Sequence, residues 1–321
     1  MNESGIGTIE QTTYKGFPAY AMESERVRLV MVPELGGKIV SLLHKPTSKE
    51  WLIDSGPREL RRVEYGANFE RADVSGWDEC FPTIDACAYP LEGAYAGRHM
   101  PDHGELWSIP WEAAAENGAL VGTASGRALP YAFRRTIRFV GTSALRFEYD
   151  VTNTGEEPFV AFWTAHPLFG TTAHTRIELP DDVAELLCVG EGAALERGRT
   201  YRWPDGEGAL QRPLDEVGPA EARDSRKFYI DGPVGRGVAG LRERDSGDYI
   251  ALEWPREKLP YFGMWINEGG LIEKTVCALE PCNGFYDSLT EAVARDRVLR
   301  LAPGATESWH VDVKLGCEPR S

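Results

Sequence analysis

Apolar side chains recur along this chain with a period of two far more often than with a period of 3.6. From Leu145 to Val151 apolar and polar residues alternate without a break, as a strand with one wet face requires. Comparable runs cover Val27–Pro33, Lys38–His44, Thr136–Val140, Phe159–Trp163, Lys227–Ile230, Tyr249–Trp254, Tyr261–Ile266, Glu273–Leu279, Arg297–Leu301 and Glu307–Leu315. In the last run Trp309, Val311, Val313 and Leu315 share one side. Glu34 to Gly37 separates the first two runs as a turn that needs glycine for positive φ. Helical periodicity is confined to Asp181–Leu187 and Leu289–Ala294, each long enough for a turn or two. About fifteen short strands with Gly and Pro punctuation predict an all-β antiparallel sandwich. No composition break divides the chain, so a single domain over residues 1–321 is expected, with 188–225 an irregular surface excursion.

Composition narrows the partners. The 321 residues are 42% hydrophobic, enough for a large core, and carry 35 Lys+Arg against 50 Asp+Glu, a formal charge of −15. Such a surface repels polyanions, which argues against nucleic acid and requires a local basic patch for any phosphorylated ligand. No stretch approaches 18 uninterrupted apolar residues, so no membrane partner is expected. The N-terminus has neither a basic n-region nor an apolar h-region, and a cytoplasmic location is expected. The six cysteines lie in apolar contexts without CxxC spacing and are read as free thiols. A monomer or homodimer fits equally well.

Three short contexts carry candidate chemistry. They are Pro101-Asp102-His103-Gly104-Glu105, Ala165-His166-Pro167-Leu168-Phe169 and Leu279-Glu280-Pro281, each with a polar residue where a β-like run meets a loop. Two imidazoles and one carboxylate suit moving protons on and off a neutral polyol. His99, His103 and Glu105 also suggest metal ligands, but Pro101 breaks the helix that an i, i+4 pair needs, and no metal is expected.

These motifs, with Val32–Leu42, Ile109–Glu112 and Leu301–Gly304 in the same order, resemble the aldose 1-epimerase (galactose mutarotase-like) superfamily from about residue 25 to 315. Ser75–Ile84 is similar to a divergent subgroup. The resemblance implies a large antiparallel β-supersandwich with an open sugar site, no cofactor, and a small-molecule sugar as partner. It assigns Glu280 as base on the anomeric hydroxyl, a protonated His166 as acid on the ring oxygen, and His103 as stabiliser. The family's anchoring aspartate has no clear counterpart; Asp231 and Asp224 are candidates.

Other residues leave alternatives open. Trp77 could stack on a sugar while Asp78 or Glu79 accepts its hydroxyls, or Trp77 could be core and the acids a solvated turn. Trp265, with Trp163, Tyr261 and Phe285, could line a carbohydrate platform or belong to the core. Arg71 and Arg98 could bind an anion such as a sugar phosphate. A non-catalytic sugar-binding protein and a sugar-phosphate epimerase are therefore the competing readings.

Overall fold

The structure, a computed structural model, describes residues 6–190, 195–208, 210, 212–285 and 287–318. Two antiparallel sheets face each other, as the alternation predicts. The larger runs Gly7–Tyr14, Phe17–Ser24, Val27–Val32, Lys38–His44, Trp77–Cys80, Thr164–Gly170, Thr275–Cys282, Tyr261–Glu268, Asp224–Tyr229, Glu185–Cys188, Thr200–Arg202, with Lys49–Glu50 beside Lys38–His44. The smaller runs Thr175–Glu178, Val238–Glu243, Asp248–Glu253, Thr306–Cys317, Ala144–Asn153, Tyr131–Gly141, Ala119–Ser125, Glu112–Glu116. Leu289–Ala294 is a short α-helix. No described helix is long and apolar enough to cross a membrane, and all six cysteines are free.

Three expectations are corrected here. Asp181–Leu187 is not helical; its end becomes the strand Glu185–Cys188, because Leu186 turns into the core while its neighbours face out. The 188–225 excursion contributes an edge strand, Thr200–Arg202, paired to Glu185–Cys188; residues 191–194, 209 and 211 within it lie outside the described residues. The third concerns the Trp77 run, which is a strand rather than a turn.

Strand alternation places Trp77 and Glu79 on the inner face of the larger sheet, away from any sugar. Trp77 is wholly buried and stacks on Phe147 with ring centroids 4.9 Å apart. Glu79 is equally buried and accepts hydrogen bonds from Arg135 Nη1 (2.8 Å), Trp163 Nε1 (2.9 Å) and Tyr149 Oη (3.1 Å). Burial pushes its carboxyl up to about 7, against the pull of Arg135 and the two other donors. Trp163 likewise packs inward, against Tyr149 and Trp309. These are structural roles: a carboxylate inside the sandwich is tolerated only because each oxygen has donors.

The opposite face of the same strands carries the chemistry. The register that pairs Thr164 with Cys282 and Leu168 with Ala278 sets His166 opposite Glu280. His166 pairs with Asp78 on its other side, Glu280 with Gly263, and Gly263 with Tyr229. Asp78, His166, Glu280, Gly263 and Tyr229 thus form one row across five strands. One step along lie Leu168, Ala278, Trp265 and Lys227.

Gly263 has a specific reason to lack a side chain. A Cβ there would lie 2.9 Å from the Tyr229 ring and 3.0 Å from Glu280 Oε2. Gly263→Ala is expected to push the Glu280 carboxylate aside and, if Glu280 is the base that the resemblance implies, to lower kcat roughly tenfold to a hundredfold, since small misplacements of a reacting group are costly. Steady-state kinetics beside a thermal melt checks this: lost stability with unchanged kcat would contradict it.

Candidate active site

His103 and His166, far apart in sequence, line one cavity of about 210 Å³, and Glu280 is buried behind His166. The cavity walls include Phe69, Asp85, Lys227, Trp265 and Asp287. The volume is below the roughly 300–1,000 Å³ of drug-sized pockets and suits a single monosaccharide. Two larger depressions, of about 610 and 550 Å³, lie on the outer face of the smaller sheet. Their charged side chains pair with one another, as Arg134 does with Glu116 and Arg138 with Glu148. The smaller cavity is the better candidate because it alone of the three is lined by buried ionisable groups with unused polar atoms.

His166 Nε2 lies 4.0 Å from Glu280 Oε1. Both side chains are almost wholly buried, and neither Glu280 Oε1 nor His166 Nδ1 has a hydrogen-bond partner among the described residues. Glu280 Oε2 forms an ion pair with Lys227 Nζ at 2.8 Å, close in distance though not aligned as a hydrogen bond. Lys227 Nζ also reaches Asp287 Oδ1 at 3.1 Å, and that oxygen accepts from Tyr229 Oη at 2.6 Å. One carboxylate oxygen of Glu280 is therefore held, and the other has no hydrogen-bond partner among the described residues.

His103 is set by its turn. It has φ +56°, a left-handed conformation uncommon outside glycine, and Gly104 follows at +69°. No other residue fits at 104, where a Cβ would lie 2.2 Å from the Phe81 carbonyl oxygen. Asp102 Oδ1 bonds His103 Nδ1 at 2.8 Å, and Asp102 Oδ2 accepts from the Phe69 backbone N–H at 2.8 Å. Phe69 in turn stacks on His103, with centroids 4.1 Å apart and planes 11° from parallel. The His103 and His166 rings meet edge-on at 5.0 Å. Strain at His103 is thus held by one carboxylate and one aromatic ring.

The electrostatics differ from expectation. Burial drives His166 well below the ordinary imidazole value, and the nearby charges of His103, Lys227 and Lys38 push the same way. His166 is accordingly neutral at neutral pH, which corrects the expectation that it stands protonated. Its strand partner Asp78 does not help, because its Oδ2 is bound at 2.8 Å by Lys38, which is shared with Asp73. Burial raises Asp78 to about 6 despite Lys38. Burial also raises Glu280, with Lys227 opposing and Asp287 adding to the shift. Lys227 moves above its ordinary value because Asp287 and Glu280 outweigh its burial. The lysine is a fixed cation shared by two carboxylates.

Of the other sequence candidates, Trp265 lines the cavity. Asp78 lies beneath it as a support for Lys38, and Trp77 and Glu79 are on the inner face of the sheet. Asp231 is exposed and paired with Arg297 at 3.3 Å, outside the cavity. Asp224 is half-buried and also outside it. Arg71 is exposed on the short 3-10 turn Phe69–Arg71, whose Phe69 reaches the cavity while Arg71 does not. Arg98 donates to the Ala128 carbonyl. Glu105 is a structural acceptor for Tyr65 Oη and the Ala128 N–H. Sequence reasoning missed Lys227, Asp287, Asp85, Asp102 and Phe69. Lys227 had a signal: a cation at the start of the apolar run Lys227–Ile230, in the 200–240 region where an acidic anchor was sought.

Two packed antiparallel sheets with a cavity lined by ionisable groups on the outer face of the larger one define the architecture. The fold is the galactose mutarotase-like one, as solved structures show. The chain is similar over 99% of its length to the whole of a Synechocystis protein, with TM-score 0.70 and 16% identity. It is similar over 93% of its length to 97% of a galactose mutarotase related enzyme from Lactobacillus acidophilus, with TM-score 0.67 and 14% identity. A galactose mutarotase-like protein from Lactobacillus casei matches in full over 93% of the chain, with TM-score 0.65 and 17% identity. No protein-family model and no curated protein matches the chain. At these identities the likeness establishes the fold, and the expected resemblance holds at that level.

Proposed function

We propose that this protein is an aldose 1-epimerase acting on a free, uncharged aldose. The observation that carries the reading is the unpartnered Glu280 Oε1, 4.0 Å from the Nε2 of His166, whose ring lines a cavity of monosaccharide size together with a second imidazole. Glu280 takes the proton of the anomeric hydroxyl as the C1–O5 bond breaks and C1 becomes an aldehyde carbon. An imidazole gives its proton to O5. Rotation about C1–C2 and reversal of both transfers closes the ring on the other face, so each group ends as it began. Lys227 and Asp287 hold the base in place. No metal or cofactor enters this chemistry. The same reading places the protein in the cytoplasm as one domain.

The charge of the cavity favours an unphosphorylated substrate. Asp85, Asp287 and Glu70 line it, and its lysine is already shared between two carboxylates. Neither Arg71 nor Arg98 lines it, so the basic patch that a sugar phosphate requires is not formed by the expected arginines. Neutral aldoses are expected to be turned over with kcat/KM at least tenfold above that of their 6-phosphates, roughly 1.4 kcal/mol or more in transition-state binding. Anomer exchange followed by NMR on matched pairs checks this, and a preference for the phosphate would contradict it. The competing reading is a non-catalytic carbohydrate-binding protein. The ion pair of Glu280 with Lys227 favours it, because a cation beside a carboxylate weakens it as a base. Binding of an aldose without faster anomer exchange would select that reading.

A further inference from the structure

We infer that the proton donor to the ring oxygen is His103, positioned by Asp102, and that His166 is a neutral hydrogen-bonding partner of the sugar. The inference rests on the epimerase reading and reverses the roles the family resemblance assigns to the two imidazoles.

The argument is geometric first. His103 lines the cavity, and its Nδ1 is bound to Asp102 at 2.8 Å, which fixes the tautomer and leaves Nε2 as the nitrogen available to a ligand. A carboxylate on the far nitrogen stabilises positive charge on an imidazole ring, the arrangement a histidine acid uses. His166 has no such partner: its Nδ1 is unbonded among the described residues, and its side chain is buried.

The surrounding charges agree. Facing His103 are Asp102 on its own turn, Asp78 and Glu280 on the central strands, and Asp85 on the adjoining loop; the electrostatics of each carboxylate register the ring. Phe69 covers one face and His166 meets its edge. Asp102 is held below its ordinary value by the bond and charge of His103 acting against burial. Facing His166 are the cations Lys38 and Lys227 and the His103 ring itself, all of which disfavour a second charge. Two rings 5.0 Å apart disfavour charging both, and the carboxylate of Asp102 beside His103 favours the charge on that ring.

With His103 as donor the transfers balance. Its Nε2–H passes to O5 as C1–O5 breaks, Glu280 Oε1 receives the anomeric proton, and ring closure returns both. Neutral His166 could donate only by becoming an imidazolate, and a neutral imidazole N–H is a far weaker acid than an imidazolium.

The test combines ring NMR with kinetics. In 15N-labelled protein, lowering the pH is expected to protonate His103 while His166 is still neutral. His103→Gln is expected to lose about 10²–10⁴ in kcat, the usual worth of a general acid, whereas His166→Gln raises KM more than it lowers kcat. Asp102→Asn, which keeps an acceptor for the Phe69 N–H, is expected to leave KM near wild type and move the alkaline limb of kcat to lower pH. Protonation of His166 first, or an unmoved pH profile in Asp102→Asn, overturns the inference. If no aldose is turned over, the donor role falls with the epimerase reading. The order of protonation then still reports which ring holds the charge, so the two failures are distinguishable.

Discussion

Glu79→Ala is expected to destabilise the protein by about 3–5 kcal/mol, the usual cost of removing one partner of a buried ion pair. The change leaves the Arg135 guanidinium inside the sandwich, only 1% exposed, with the Gly37 carbonyl, the Met31 sulfur and the Trp111 ring face beside it and no counter-ion among the described residues. It also strips acceptors from Trp163 Nε1 and Tyr149 Oη. Glu79→Gln keeps an acceptor and is expected to cost less. The pH dependence has a definite sign. Burial raises the folded carboxyl from its ordinary 4.5 to about 7. The folded state therefore holds a proton that the unfolded state has released. The stability contributed by this group is complete below about pH 4.5 and is lost as pH rises through 7. Urea denaturation of wild type and Glu79→Gln across that window checks it: the wild-type slope is expected to be steeper. Equal slopes, or an Ala variant as stable as wild type, would sink the account of the inner face.

On the epimerase reading, Glu280→Gln is expected to lower kcat by about 10²–10⁴ with KM little changed, because a positioned base contributes that much to proton transfer. The amide fills the same space but cannot take the anomeric proton. Lys227 keeps Asp287 as a counter-ion at 3.1 Å, so the fold is expected to persist. A melting temperature near wild type is the control that assigns the lost turnover to chemistry.

The fold was legible because the sheet strands have two different faces. Leu145–Val151 lies inside Ala144–Asn153, and Tyr261–Ile266 inside Tyr261–Glu268. The strands Gly7–Tyr14 and Phe17–Ser24 were not seen, because Gly7–Tyr14 is an edge strand without a fully buried residue and its sequence is rich in Thr and Glu. At the site, motif context found His103, His166 and Glu280. Trp77, Asp78 and Glu79 were offered to the sugar together, with a core Trp77 as the alternative, because a run not recognised as a strand gave no alternation to divide them between two faces. The ion-pair partners escaped because pairing depends on register: Lys227 and Glu280 are 53 positions apart and meet only through the strand between them. The state of His166 was misjudged for a related reason. A net charge of −15 says nothing about a ring whose own neighbours are Lys38, Lys227 and another histidine.

The most direct measurement is the relaxation of freshly dissolved α-anomers of glucose, galactose and several rarer aldoses, followed by polarimetry or NMR with and without protein. The account predicts that wild-type protein speeds the approach to anomeric equilibrium for at least one free aldose and that Glu280→Gln does not. Relaxation at the spontaneous rate for every aldose, with a folded protein that still binds one of them, would contradict it.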